Sequence, residues 1–215
     1  MKLDASSIIV LGGSFNPPTR AHAALLVHAL NCTGAGTGIF VPSSDTYVGR
    51  KVKRAGQPFL FSEKARLEML KAICETDRRF KVDTCEYGDT SKGRTLKTLR
   101  EIQAKYPDKK VCFLTGSDKL AQMGTWKTAK DLLTEFPIVV LARESDDVDA
   151  IIDEGENLSA HRDTLILIPN LPSAGGISSS RFQDLWDTDK AHAMSMLYLK
   201  VIELVEEYVE EARVT

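Results

Sequence analysis

Gly12-Gly13-Ser14-Phe15-Asn16-Pro17-Pro18-Thr19-Arg20-Ala21-His22 follows the apolar run Ile8-Ile9-Val10-Leu11 and precedes the helical pattern Ala23-Ala24-Leu25-Leu26-Val27. A glycine turn that leaves a buried strand and opens a helix is where a doubly wound protein holds phosphate. The glycines let the backbone approach an anion, and the helix start offers unpaired N–H groups and partial positive charge. His22 lies where a side chain can join them; its plainer reading is a helix-start histidine paired to backbone. A dinucleotide-binding turn and a P-loop share this outline. The segment has neither the second and third glycines of the first nor the closing Gly-Lys-Ser/Thr of the second.

Outward from this turn, short apolar runs alternate with longer segments of helical period, as expected for a parallel sheet buried on both faces. The pattern predicts strands at residues 7–11, 38–41, 80–83, 111–114, 138–142 and 165–168. It predicts helices at about 20–31, 62–76, 95–105, 117–134 with a break near Gly124, and 146–153. Ser62 is the expected N-cap of a covering helix with Leu67, Leu70, Ile73 and Cys74 on one face. The stretch 190–212 places Leu197, Val201, Leu204, Val205 and Tyr208 on one face and glutamates around the other. The expected fold class is therefore α/β, a doubly wound Rossmann-like parallel sheet of about six strands with helices on both faces. We expect a single domain over residues 1–215, with the C-terminal helical part, about 177–212, packed on it.

The remaining long segment, Pro42–Phe61, is read as a loop. Its four cations, Arg50, Lys51, Lys53 and Arg54, could close over phosphate; a solvated surface or a nuclear localisation patch are the other readings. Every unusual polar cluster follows the end of a predicted strand: 12–22, 42–47, 84–89, 115–118, 143–144 and 170–181. In open α/β sheets that edge binds ligands.

With 215 residues, 43% of them apolar, the chain can bury a sizeable core, and a net charge of −2 gives no global attraction to nucleic acid or anionic membrane. The expected partner is small. The N-terminal apolar run is too short for a signal peptide and no window approaches membrane-spanning length, so we expect a cytoplasmic protein, with nuclear residence left open. Cys32, Cys74, Cys85 and Cys112 show no metal or redox spacing and are expected to be free thiols in or near the core.

Two further segments carry chemistry. Gly175-Gly176-Ile177-Ser178-Ser179-Ser180-Arg181 offers three hydroxyls and a cation at a helix start, suited to a polyphosphate, although serine-rich turns are also common caps. Gly116-Ser117-Asp118, then Trp126, then Arg143 after the next strand could present an aromatic platform and charged contacts to a flat ring. Taken singly, Trp126 reads as core, Asp118 as an N-cap and Arg143 as a surface ion pair.

Gly13, Ser14, Phe15, Asn16, Pro17, Thr19 and His22 fill the positions of a G-(T/S)-F-(D/N)-P-x-(H/T)-x-x-H signature, and the chain resembles the adenylyltransferases of the HxGH-type nucleotidyltransferase superfamily. Ile177-Ser178-Ser179-Ser180 resembles the start of that family's I-S-S-T-x-x-R, with Gln183 at the arginine place and Arg181 two positions early. The segment from Gly116 to Arg143 resembles the nicotinamide/nicotinate mononucleotide members. So do Pro42–Tyr47, Val82–Glu86, where Cys85 replaces a tryptophan of the ring pocket, and Thr95–Leu99.

The resemblance implies transfer of AMP from ATP to the 5′-phosphate of nicotinamide or nicotinic acid mononucleotide, giving NAD or its deamido form and pyrophosphate. It implies His22, Arg181 and Thr19 as catalytic residues, and ATP contacts from Gly13, Ser14, Phe15, His22, Ser178, Ser179, Ser180 and Arg181. It assigns the mononucleotide to Tyr47, Lys51, Thr95, Gly116, Asp118, Trp126, Arg143 and Asn170. Mg²⁺ is expected to be held mainly by the ATP phosphates, with no protein ligand named. Because the attacking phosphate is already anionic, no activated side-chain nucleophile is needed. A sister nucleotidyltransferase with another phosphorylated acceptor, or a nucleotide-binding sensor without turnover, are the alternatives; self-association is left open.

Overall fold

Six strands carry the fold of the computed structural model, which describes residues 3–88, 95–143, 146–171 and 176–214. They are β1 (Ile8–Gly13), β2 (Thr37–Pro42), β3 (Phe80–Val82), β4 (Val111–Gly116), β5 (Ile138–Leu141) and β6 (Leu165–Ile168). Their order is β3-β2-β1-β4-β5-β6, the doubly wound Rossmann-like arrangement expected from the sequence. Ile8, Ile9 and Val10, Ile39, Phe40 and Val41, and Ile138, Val139 and Val140 are all buried, as strands covered on both faces require. β1 and β4 each run two residues past the predicted end, to Gly13 and Gly116.

The helices are α1 (Arg20–Thr33), α2 (Asp45–Ala55), α3 (Glu63–Cys74), α4 (Thr95–Lys105), α5 (Ser117–Gly124), α6 (Ala129–Glu135), α7 (Val148–Glu154), α8 (Glu156–Ala160), α9 (Ser179–Leu185), α10 (Lys190–Ser195) and α11 (Leu199–Ala212). Helix α2 corrects the sequence reading, which made this stretch a loop. Val48 and Val52, one turn apart, give it a buried stripe, and Gly56 at φ 60° ends it with its N–H on the carbonyls of Lys53 and Val52. The four cations therefore ride on a helix. On α3 the buried face is Ala65, Arg66, Met69, Leu70 and Ile73, while Leu67 and Cys74 are only half-buried. The stretch 190–212, expected as one helix, is broken into α10, capped by Asp189, and α11. Helix α8 was not predicted. Cys32 is exposed, contrary to its expected place near the core, and Cys112 is buried.

Two compact units divide the chain. The first comprises Met1–Leu11, Leu26–Ile39 and Arg94–Pro172. In it Gly116 pairs with Leu141 and Leu141 with Ile168, so Ser117-Asp118, Ala142-Arg143 and Pro169-Asn170 leave one sheet edge at the same level. The second comprises Gly12–Leu25, Phe40–Gly93 and Ser173–Thr215. There the Ser43 N–H donates to the Gly13 carbonyl at 2.9 Å and the Asp83 N–H to the Phe40 carbonyl at 2.9 Å. Among the described residues no helix is long and apolar enough to cross a membrane.

Candidate active site

In the second unit the glycine turn ends at His22, in the first turn of α1. The Thr19 N–H donates to His22 Nδ1 at 2.9 Å, and Thr19 Oγ1 lies 2.8 Å from the same nitrogen. A ring nitrogen that accepts a backbone N–H carries no proton, so the neutral imidazole has its proton on Nε2 and is a donor there. Phe15 packs edge-on against this ring with centroids 5.0 Å apart.

Phe15 is 1% exposed and has φ 47°, in the left-handed region. For a residue with a side chain that costs about 1–2 kcal/mol, so the surroundings must impose it. The Asn16 carboxamide donates to the Phe59 carbonyl at 2.8 Å and accepts the Phe61 N–H at 2.9 Å. Gln183 donates to the Asn16 carbonyl at 2.7 Å. Arg66, with no exposed surface, donates to the Ser14 carbonyl at 2.9 Å, the Phe61 carbonyl at 3.0 Å and Asp45 Oδ1 at 2.8 Å. Its guanidinium also lies 5.7 Å from the centre of the Tyr87 ring, and burial pushes the Tyr87 hydroxyl up to about 12.

The helix α2 stands beside this turn. Asp45 and Glu63 cap each other's helices: the Glu63 carboxylate accepts the Asp45 N–H at 2.9 Å and the Asp45 carboxylate accepts the Glu63 N–H at 3.1 Å. With α2 anchored in this way, Lys51 reaches Ser14 Oγ at 3.4 Å, and Tyr47 is exposed.

In the first unit, Gly116 lies close to Asp118: a Cβ there would meet Asp118 Oδ1 at 2.5 Å, and the carboxylate would have to turn aside. Ser117 is buried, donates to Asp146 at 2.6 Å and accepts the Arg143 N–H at 3.0 Å. Arg143 in turn pairs with Asp118 at 3.1 Å. Trp126, between α5 and α6, is 39% exposed, which rules out the reading as core. Thr95 opens α4, and Asn170 caps its neighbour's N–H at 2.8 Å.

A turn of this kind, with its histidine oriented and its strain held from behind, coincides with a match to known proteins. Residues 10–184 fit the family described as cytidylyltransferase-like. The chain belongs to this family. A probable nicotinate-nucleotide adenylyltransferase of Caldicellulosiruptor bescii is 31% identical over 206 residues, 94% of this chain and 95% of the relative. A protein of the same description from Carboxydothermus hydrogenoformans is 26% identical over 175 residues, 81% of this chain and 83% of its own. Among solved structures, Plasmodium falciparum nicotinic acid mononucleotide adenylyltransferase complexed with APC superposes with a TM-score of 0.69. It covers 94% of this chain and 96% of that one; at 18% identity the likeness speaks for the fold.

In this cytidylyltransferase-like protein, a nucleotidyltransferase by its relatives, several expected site residues are hydrogen-bonded within the protein. Thr19, expected to be catalytic, is 0% exposed and is hydrogen-bonded to His22. The serine run is bonded internally: Ser178 caps α9 by accepting the Arg181 N–H, Ser179 donates to the Pro17 carbonyl at 2.8 Å, and Ser180 accepts Gln57 at 3.0 Å. Arg181 is exposed in the first turn of α9, whereas Gln183 is buried. Gly175, Asp89 and Glu144 lie outside the described residues. Sequence reasoning missed Arg66 altogether. Its only signal is spacing: Arg66, Leu70 and Ile73 share one stripe of α3, so a charged residue occupied a core position.

Proposed function

We propose that this nucleotidyltransferase transfers AMP from ATP to the 5′-phosphate of nicotinic acid mononucleotide, releasing pyrophosphate and the deamido form of NAD. The observation that carries the transfer is His22 held by Thr19 at the end of an internally braced turn. The relatives matched over most of their length, described as nicotinate-nucleotide adenylyltransferases, favour the acid over the amide acceptor.

In this reading the mononucleotide phosphate attacks the α-phosphorus in line, and the bond to the leaving pyrophosphate breaks. The protein positions two phosphates and stabilises the departing charge. His22 donates from Nε2 to a phosphate oxygen, and the amides at the start of α1 face the same anion. Lys51 and Arg181 supply positive charge from α2 and α9. Trp126 stacks on the pyridine ring, with Asp118 and Arg143 as polar contacts to the mononucleotide. Mg²⁺ would enter with ATP as part of the substrate, held mainly by the ATP phosphates. No thiol needs to act as nucleophile. Burial pushes Cys74 up to about 11 and Cys112 up to about 12, which keeps both protonated at neutral pH.

The test is pyrophosphate release from ATP and Mg²⁺ with nicotinic acid mononucleotide, nicotinamide mononucleotide and a panel of other phosphorylated acceptors. The proposal expects release with the acid mononucleotide, and slower release with the amide. Release only with an unrelated acceptor replaces it by the sister transferase, and ATP binding without release by the sensor.

A further inference from the structure

Behind the turn lies a hydrogen-bonded frame that the chemistry above leaves unused. All four backbone polar groups of Phe59 and Phe61 are taken by side chains. Gln183 accepts the Phe59 N–H at 3.1 Å, Asn16 takes the Phe59 carbonyl and the Phe61 N–H, and Arg66 donates to the Phe61 carbonyl. The segment is itself tied down, with the Leu60 N–H on the Ala212 carbonyl at 2.7 Å and the Val214 N–H on the Pro58 carbonyl at 2.8 Å.

Arg66 and Gln183 each reach from this segment to the catalytic turn, and they grip it on either side of Phe15. Arg66 holds the carbonyl before it, on Ser14, and Gln183 the carbonyl after it, on Asn16. With Arg66 at 0% and Gln183 at 2% exposure, neither can meet a substrate. Stability alone is a poor reason for a buried guanidinium, because a well-packed apolar side chain of similar volume often serves as well or better. Its fork instead fixes two carbonyls at defined positions, as a positional device would.

We propose that Arg66 and Gln183 are positioning residues of the transfer reaction. By gripping Ser14 and Asn16 they keep Phe15 in its left-handed conformation. The Phe15 ring and Thr19 then set the plane of the His22 imidazole. This rests on the transfer reading above.

The experiment compares Arg66→Lys, which keeps the charge but loses the fork, and Gln183→Met, which keeps the length but loses both hydrogen bonds. Each is assayed well below its melting temperature. Should Gln183→Met fail to fold, Gln183→Glu, which retains the acceptor for Phe59, takes its place. Each variant should lose about 10- to 100-fold in kcat with nearly unchanged KM for both substrates, the cost of a small misplacement of a catalytic group. In a His22→Ala background the further loss should shrink to about twofold or less, because the effect passes through the histidine. Normal kcat in folded variants, or an undiminished loss in that background, overturns the proposal. A second readout does not need turnover: the His22 ring resonances in the free protein should move in both variants and stay in place in the exposed control Glu203→Gln. If the wild-type chain releases no pyrophosphate, the transfer reading fails on its own, and unmoved His22 resonances would sink the positioning role separately.

Discussion

The two regions that carry the site residues are built on opposite principles. The turn from Ser14 to His22 is held by hydrogen bonds from the buried side chains of Asn16, Arg66 and Gln183. The region from Gly116 to Arg143 rests on a half-exposed ion pair, 57% exposed on Arg143 and 34% on Asp118, and on a tryptophan ring open to solvent. A buried polar bond fixes geometry, because breaking it leaves an unsatisfied group. An exposed pair is cheap to break and easy to rearrange. The first region therefore suits a reacting phosphate, for which small displacements are costly, and the second suits recognition of a ring by contact.

The sharpest way to break this contrast is Arg66→Ala. It orphans the buried Phe61 carbonyl, drops the bonds to Ser14 and Asp45 and removes a fully buried side chain, so unfolding free energy should fall by about 3–5 kcal/mol. A denaturant melt within 1 kcal/mol of wild type, on the order of a surface substitution, would mean that the frame is not rigid. His22→Ala should leave the melt nearly unchanged and lower kcat by about 10²-fold or more, since it removes a donor that meets charge developing in the transition state. Near-normal turnover would take His22 out of the chemistry.

In the other region the effects should be smaller and fall on binding. Trp126→Ala should raise KM for the mononucleotide by the equivalent of about 1–3 kcal/mol, with ATP kinetics and melting temperature little changed, as expected for a stacking ring that is not core. Alkaline titration probes the frame again. The Tyr87 hydroxyl ionises near its ordinary value of 10.0 when unfolded but at about 12 when folded. Between these values the folded state binds more protons, so stability is full below 10 and falls as pH rises, at up to about 1.4 kcal/mol per pH unit. Tyr87→Phe should remove that part of the slope in melts taken across this range. Least affected should be the exposed pair: a double-mutant cycle on Asp118 and Arg143 should give about 0.2–1 kcal/mol and diminish with salt. A larger, salt-insensitive coupling would place this region with the buried one.

Much of the scaffold was readable in one dimension. Buried parallel strands are short apolar runs, and Ile138–Leu141 and Leu165–Ile168 stand out on that ground alone. Helix α2 did not stand out, because Val48 and Val52 are its only buried residues in a stretch dominated by charge. The serine run was readable as chemistry but not as architecture. Three hydroxyls before a helix suit phosphate or a cap equally, and partners as remote as Pro17 and Gln57 decided how they are used. Gln183 looked like a gap in a signature; its place in the core depends on Asn16, 167 positions away, and Phe59, 124 away.

What the sequence determined by itself was the α/β class and the place of the glycine turn with His22 at its end, because periodicity and turn chemistry act over a few neighbouring residues. Tertiary structure alone decided that an arginine would be core, that a glutamine would brace the turn, and that Asp118 would find Arg143. The physical reason is the same in each case. A polar side chain can be buried only where its hydrogen bonds are met, and those partners come from segments that only folding brings together.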